Sequence, residues 1–134
     1  HVLDLFAGTG ALGLEALSRG ARDVVFVENG RVAQKLITEN IKKLRAEGET
    51  TLMRSDATTL GGWIAAPFDL VFLDPPYGKA MGQAALTKTL AGGWLAKGAM
   101  IVWEENAAMD APDGFARIDK RKYGDTWITL LNVT

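Results

Sequence analysis

The sequence predicts an α/β fold built on a mostly parallel sheet, and three observations lead to that prediction. Short apolar runs alternate with segments of helical periodicity along the first two thirds of the chain. The early runs are apolar throughout, which is typical of parallel strands covered on both faces. The last third instead indicates two strands joined by a turn at Gly124. We therefore expect seven strands, the last two forming a C-terminal antiparallel hairpin.

Composition fits one packed domain over residues 1–134. The chain is 48% hydrophobic and 23% charged, with a net charge of −1 that argues against nucleic-acid binding by bulk electrostatics alone. No cysteine is present, which excludes disulfides, thiolate metal sites and a cysteine nucleophile and favours a cytoplasmic setting. No apolar run approaches the roughly 20 residues that cross a bilayer, so we expect no membrane span. Because Val2 already lies in an apolar run, we also expect a segment before it to be missing.

The first half of the chain predicts two strand-helix units and a third strand. A strand over Val2–Phe6 leads through a glycine turn into a helix with its apolar stripe between Leu12 and Leu17. The second strand is Val24–Val27, and a long helix follows from about Arg31 to Ala46, with Gly48 as its stop.

Further elements follow in order, each indicated by an apolar run or by helical spacing. They are a strand over Thr50 to Met53, a short helix around Leu60 to Ala65, a strand over Phe68 to Leu73, a helix over about Gln83 to Ala91, a strand over Ala99 to Trp103, and hairpin strands over Phe115 to Tyr123 and Thr126 to Val133.

The first two strand ends predict a nucleoside site. Gly8-x-Gly10-x-x-Gly13 follows a strand and opens a helix, where a ligand can approach the backbone, although such a loop can also be only a tight connection. Glu28 ends the second strand and can accept from both ribose hydroxyls, or be a solvated charge. Asp4 precedes the loop and would repel a pyrophosphate, but it suits the ammonium group of an amino-acid nucleoside.

The next two strand ends carry acceptors. Asp56 can accept from an adenine amino group or cap the segment that follows it. In Asp74-Pro75-Pro76-Tyr77, two prolines remove two N–H donors, so carbonyl groups and the Asp74 carboxylate face the pocket as acceptors. Acceptors without donors suit an exocyclic amine, while Tyr77 can stack on the base. The alternative is a rigid turn with a surface tyrosine.

The sequence resembles the RsmD family over essentially its whole length. The resemblance is carried by Asp4 to Ala21 (DLFAGTGALGLEALSRGA), by Asp74 to Tyr77 and by Tyr123-Gly124-Asp125-Thr126. It implies a Rossmann-like class I methyltransferase that uses S-adenosylmethionine, without a metal, to modify a guanine N2 of 16S ribosomal RNA. It further implies small-subunit RNA or the small ribosomal subunit as the partner, and we expect a monomer.

The resemblance also assigns roles to residues. It implies cofactor contacts from Asp4, Phe6, Ala7, Gly8 and Gly10, ribose binding by Glu28, adenine recognition by Asp56 and Ala57, and a catalytic element formed by Asp74, Pro75, Pro76 and Tyr77. The chain departs from the family in two places. It lacks the segment that precedes the first strand, and Asn29-Gly30 stands where charged residues commonly follow the ribose ligand.

A basic cluster precedes the predicted hairpin turn. If its strand runs parallel to the others, this turn lies at the same sheet edge as Asp74. The cluster could then contact phosphates that flank a target base, or it could be a solvated edge strand protected by charge. Its members are Arg117, Lys120, Arg121, Lys122 and Tyr123.

Other functions share part of this pattern. A DNA adenine-N6 methyltransferase uses a related Asp-Pro-Pro-Tyr element but normally adds a target-recognition domain. Enzymes that methylate protein glutamine favour Asn at the first position. A nicotinamide-dependent oxidoreductase would share the glycine loop and Glu28 but has no use for the double proline. An RNA-binding module without turnover is a further alternative.

Overall fold

A computed structural model describes all 134 residues, and its framework is one sheet of seven strands. The strands are β1 (Val2–Leu5), β2 (Val24–Val27), β3 (Thr50–Met53), β4 (Phe68–Leu73), β5 (Leu95–Glu105), β6 (Phe115–Tyr123) and β7 (Thr126–Val133). The helices are α1 (Ala11–Ser18), α2 (Arg31–Lys43) and α3 (Met81–Ala91), with single 3-10 turns at Glu47–Glu49 and Ala57–Thr59. None of these helices is both long and apolar enough to cross a bilayer.

The strand order is β3-β2-β1-β4-β5-β7-β6, and the first five strands in this order are parallel. β7 runs antiparallel to β5, and β6 runs antiparallel to β7. β6 therefore points the same way as the parallel strands, which confirms the predicted hairpin. The chain order reverses between β1 and β4, and ligands of open α/β sheets bind at the carboxyl ends of strands at such a switch point.

Apolar side chains cover both faces of the sheet. α3 packs Ala85 and Leu86 on one face, here called the α3 face, against strand residues that include Leu73 and Trp103. α1 and α2 pack on the opposite face, here called the α1 face, against strand residues that include Phe26. Since side chains alternate along a strand, each residue can be assigned to a face from the strand register.

Two glycines set how closely the helices approach the sheet. A Cβ on Gly13 of α1 would lie 2.5 Å from the ring of Phe26, and a Cβ on Gly82 of α3 would lie 2.6 Å from Nε1 of Trp103. Both distances are far below van der Waals contact, so only glycine fits without rearrangement. α1 thereby places the glycine loop directly over β1 and β2.

The predicted helix around Leu60 to Ala65 is wrong. This segment is irregular after the 3-10 turn, and its backbone binds the end of α3 instead. Trp63 N–H donates to the carbonyl oxygen of Gly92 at 2.8 Å, and the Trp94 indole donates to the carbonyl oxygen of Gly61 at 2.8 Å. Two consecutive glycines, Gly61 and Gly62, also penalise a helix here.

The long second helix begins at Arg31 as predicted but ends at Lys43 rather than near Ala46. Arg45 adopts a left-handed φ of 51°, and Ala46 N–H donates back to the carbonyl oxygen of Ile41 at 3.0 Å. Glycine usually occupies the left-handed position of this C-terminal motif. The sequence therefore predicted that Gly48 would stop the helix. The remaining strand and helix predictions match the structure to within a few residues at their ends, except β5, which is extended at its N-terminal side.

Candidate functional site

Four parallel strands end at the same edge of the sheet, and each is followed by a residue predicted for the site. β1 leads into the loop from Phe6 to Gly10, β2 into Glu28, β3 towards Asp56 and β4 into Asp74. β1 and β4 are neighbours at the switch point, so the glycine loop and Asp74 lie side by side. The sheet thus brings together the residues predicted to bind a nucleoside and those predicted to bind an amine.

Glu28 ties the glycine loop to the end of β2. Its Oε1 accepts from Gly8 N–H at 2.8 Å and its Oε2 accepts from Gly30 N–H at 2.8 Å. Gly8 has a φ of 60°, and a Cβ there would meet no atom within 4 Å, so the backbone borders open space. Each carboxylate oxygen retains a second lone pair, and Glu28 can therefore still accept from two adjacent hydroxyls.

Asp4 is a buried carboxyl group beneath the loop, with 1% of the residue exposed. Oδ2 accepts from Gly13 N–H at 3.0 Å, whereas Oδ1 is buried without a partner. Burial raises the pKa of Asp4 to about 7. The hydrogen bond from Gly13 lowers this pKa, and the charges of Asp74 and Glu28 raise it further by smaller amounts. A buried acceptor without a partner is costly unless a ligand supplies a donor.

The remaining predicted nucleoside contacts are placed as follows. Asp56 caps the 3-10 turn, its Oδ1 accepting from Thr58 N–H at 2.8 Å and from the Thr58 hydroxyl at 2.7 Å. The capping alternative is thus realised and uses one of the two carboxylate oxygens. Ala57 is buried in the core, and Phe6 is half-buried with a φ of 56° that turns the chain out of β1.

The Asp74 to Tyr77 element leaves β4 next to the end of β5. Asp74 is accessible to solvent, yet partial desolvation by its surroundings, followed by the charges of Glu104 and Glu105, raises its pKa to about 6. The Tyr77 hydroxyl donates to Glu104 Oε1 at 3.0 Å. The pKa of Tyr77 is raised by desolvation and by this contact, so the phenol keeps its proton.

Glu104 and Glu105 were not among the predicted site residues. Glu105 is buried, its Oε2 accepts from the Trp103 indole at 3.2 Å, and its Oε1 accepts from Gly78 N–H at 3.4 Å. It therefore ties the segment after Tyr77 to β5. A signal was present in the sequence, because both carboxylates directly follow the apolar run of β5 at the edge where Asp74 also lies.

The structure divides the basic cluster of β6 between the two sheet faces. Arg121 pairs with Ile128 and Tyr123 with Thr126, on the α1 face that also carries Asp74 and Glu104. The other three members lie on the α3 face. They are Lys122, whose Nζ is 5.9 Å from the Trp127 ring centroid, Lys120, and Arg117, which donates to the carbonyl oxygen of Met109 at 3.1 Å.

Regular alternation separates Lys120 and Lys122 from Arg121 and Tyr123, and a bulge of one extra residue between Arg117 and Asp119 places Arg117 on the face of the two lysines. Arg117 also lies six residues before the turn, about 20 Å from Tyr123 along an extended strand. The structure therefore brings Arg121 and Tyr123, but not Arg117, close to the mouth of the site.

The largest cavity lies away from these residues. It is a groove of about 860 Å³ that runs along α1 on the α1 face of the sheet towards the amino ends of β1 and β4, and its lining includes Leu12, Leu70 and Phe72. None of the residues predicted for the site lines it. The acceptors at the carboxyl ends of the strands, rather than cavity size, therefore define the candidate site.

Comparisons with known proteins point to one family. A family model described as Conserved hypothetical protein 95 matches residues 1–132. The chain is 34% identical over 110 residues to ribosomal RNA small subunit methyltransferase D of Escherichia coli K12, covering 82% of this chain and 55% of that relative. The chain thus spans about half the length of this curated relative.

Solved structures agree with this comparison. A crystal structure from Haemophilus influenzae, assigned as a methylase, superposes with a TM-score of 0.87 at 27% identity and covers 99% of this chain and 86% of its own. A structure from Escherichia coli, assigned as a methyltransferase, has a TM-score of 0.86 at 30% identity, with coverage of 98% and 74%. Both similarities extend over the whole sheet described above.

Proposed function

We propose a function for this chain from the premise that it belongs to the RsmD family, whose model matches residues 1–132. It transfers a methyl group from S-adenosylmethionine to the exocyclic N2 amine of a guanine in 16S ribosomal RNA. Its substrate is this RNA or the small ribosomal subunit. Cytoplasmic location and a monomeric state stay predictions of the sequence.

One observation carries the proposal, namely the Asp74 to Tyr77 element at the carboxyl end of β4, beside the switch point. Pro75 and Pro76 have no N–H to donate, so the backbone offers only carbonyl acceptors next to the Asp74 carboxylate. An aromatic amine bound by two such acceptors has its lone pair drawn out of conjugation with the ring. Tyr77 beside Asp74 supports the stacking of the base.

The residues around the glycine loop fit the proposed cofactor. S-adenosylmethionine supplies an electrophilic methyl group on a sulfonium, together with an ammonium group and a ribose diol. The buried Oδ1 of Asp4 lacks a partner and suits the ammonium group. Glu28 stands at the end of β2 with free lone pairs for the diol, and Gly8 leaves open space beside it. The other oxygen of Asp56 is available to an adenine amino group.

The protein orients the target amine and accepts the proton that this amine releases. Asp74 and a proline carbonyl hold the two N–H bonds of the amine so that its lone pair is aimed away from them. The new C–N bond forms as the bond from carbon to sulfur breaks, and the nitrogen then carries a positive charge that neighbouring carboxylates stabilise. Asp74, with a pKa near 6, accepts the proton that the amine releases only as the methyl group arrives.

The experiment that tests this proposal is transfer of labelled methyl groups by the full-length protein. Small-subunit RNA, the small ribosomal particle and duplex DNA are offered in parallel and then digested to nucleosides. Label in N2-methylguanosine supports the proposal, whereas label in N6-methyladenine of DNA would replace it with the DNA alternative. Cofactor binding without any labelled nucleoside would favour the module without turnover.

We expect Asp74→Ala to abolish transfer while largely sparing cofactor binding, and Asp69→Ala serves as its matched control. Asp69 also lies on β4, but it precedes the switch-point edge by the length of the strand and is exposed. We expect the control to transfer label at the rate of the unmodified protein.

A further inference from the structure

Glu104 lies beside Asp74 on the neighbouring strand. Leu73 of β4 pairs with Trp103 of β5, so Asp74 and Glu104 are the next residues of two parallel strands, which run about 4.8 Å apart. Leu73 and Trp103 point into the core on the α3 face, and alternation places the next residues on the α1 face. The two carboxylates therefore flank the same opening of the site.

The Tyr77 hydroxyl binds only one of the two carboxylate oxygens of Glu104. The phenol donates to Oε1 at 3.0 Å, and Oε2 accepts from no protein group. Glu104 is half-buried, and its charge contributes to the raised pKa of Asp74. A base that stacks on Tyr77 would thus meet two anionic acceptors along one edge.

The edges of the two amino-purines differ at this position. Guanine places an N1–H donor directly beside its N2 amine, whereas adenine places an unprotonated N1 with a lone pair beside its N6 amine. A carboxylate next to the amine-binding acceptors is satisfied by guanine. With adenine, the carboxylate would face a lone pair and remain unpaired, which is strongly unfavourable for a desolvated charge.

We propose that Glu104 is a specificity residue that accepts a hydrogen bond from guanine N1–H and thereby selects guanine over other amino-purines. The inference rests on the proposed function, because it concerns the base whose amine Asp74 holds. It assigns Asp74 to the N2 amine and Glu104 to the adjacent ring nitrogen. The Tyr77 hydroxyl donates to Oε1 and leaves Oε2 for the base.

The test compares guanine with 2-aminopurine in an oligoribonucleotide that spans the methylated guanosine, whose position is found by mass spectrometry of ribonuclease fragments of the methylated RNA. 2-Aminopurine keeps the N2 amine but has an acceptor at N1. Glu104→Gln replaces the carboxylate with an amide, which can donate to that acceptor. We expect the ratio of kcat/KM for guanine to kcat/KM for 2-aminopurine to fall about 10- to 100-fold in this variant. Loss of the 6-oxo group affects both proteins alike and cancels in the comparison.

A purely structural role for Glu104 gives a different result. If Glu104 only holds Tyr77, Glu104→Gln slows both substrates equally, and an unchanged ratio would overturn the inference. Tyr77→Phe removes the hydrogen bond but keeps the ring and the Glu104 charge. We therefore expect its ratio of kcat/KM values to equal that of the unmodified protein, even if both rates are lower. A Tyr77→Phe ratio that collapses like that of Glu104→Gln would also overturn it.

Assays of the unmodified protein distinguish a failure of the proposed function from a failure of the inference about Glu104. Methylation of guanine by this protein with an unchanged ratio in Glu104→Gln leaves the proposed function standing and removes only the role of Glu104. Absence of guanine methylation would remove both.

Discussion

Glu28 Oε1 lies 2.8 Å from the backbone nitrogen of Gly8, so the carboxylate at the end of β2 holds the glycine loop that follows β1. The second oxygen holds Gly30 in the same way. One side chain thus both shapes the loop and presents lone pairs at the site.

We expect Glu28→Ala to weaken binding of S-adenosylhomocysteine about 10- to 100-fold, the range for loss of a charged hydrogen bond. Two amides lose their acceptor, and the ligand diol loses its own. Isothermal titration calorimetry measures the affinity, and Glu39→Ala, on the exposed side of α2, is the control. Equal affinities for Glu28→Ala and the control would contradict the assignment.

Asp74 is expected to act as a carboxylate. Because its pKa is raised to about 6, the ionised form predominates above that pH and is lost below it. The single-turnover rate of methyl transfer should therefore rise about tenfold per pH unit up to about pH 6 and then level off.

Asp74→Asn should abolish this dependence along with at least about 99% of the rate, since the amide cannot take the proton. Binding of S-adenosylhomocysteine should be largely retained. Equal loss of binding and turnover would instead assign Asp74 to the cofactor.

Asp4 should make stability depend on pH. Its pKa in the folded chain, about 7, lies above the usual 3.8, so folding favours the protonated form. This stabilisation is complete below about pH 4 and is lost as the pH rises through about 7.

Asp4→Asn keeps an acceptor for Gly13 N–H but carries no charge. We expect the free energy of unfolding of the unmodified protein, relative to this variant, to fall by up to about 1.4 kcal/mol per pH unit between pH 4 and pH 7. Urea denaturation of both proteins at matched pH values measures it. A constant difference across this range would show that Asp4 is not the titrating group.

Gly82 should tolerate no side chain. A Cβ at this position would lie 2.6 Å from Trp103 Nε1, and the rigid indole is fully buried. Gly82→Ala should lower the free energy of unfolding by about 1–3 kcal/mol despite the better helix propensity of alanine. Gly48→Ala is the control, since a Cβ there meets nothing within 4 Å, and urea denaturation compares the two.

Arg121 should contact RNA, whereas Arg117 should not. Arg121→Ala removes one cation on the face of Asp74, so the slope of log affinity against log salt concentration should become shallower by about 1. Arg117→Ala removes the same charge on the opposite face, about 20 Å from the turn, and should leave the slope unchanged. Filter binding of small-subunit RNA at several salt concentrations measures both variants, and identical slopes would contradict the division of the cluster.

Much of the fold could be predicted because apolar runs and strand ends are local features of the sequence. β2, β3, β4, β6 and β7 have the predicted bounds, since each run is closed by turn or polar residues. The parallel topology then brings strand ends to one edge without any knowledge of side-chain packing. This is why Asp4, Glu28 and Asp74 could be grouped in advance.

Other features depend on contacts that the sequence does not display. The irregular backbone at Gly61 is stabilised by Trp94, 33 residues away, and the left-handed Arg45 takes a position at which glycine is the usual signal. Glu104 becomes relevant only when β5 is placed next to β4 in its observed register. Whether Arg117 shares a face with Arg121 likewise depends on a bulge that alternation alone does not reveal.

That bulge has a consequence for how this surface can change during evolution. Ile118 is the extra residue of β6 and is exposed. Deletion of its single codon would restore regular pairing and leave Arg117 opposite Leu131 and Asp119 opposite Leu130, as they are now. Arg121 and Tyr123 would therefore stay on the face of Asp74, and Lys120 and Lys122 on the opposite face. The length of this edge strand can thus change by one residue without changing which side chains each face presents.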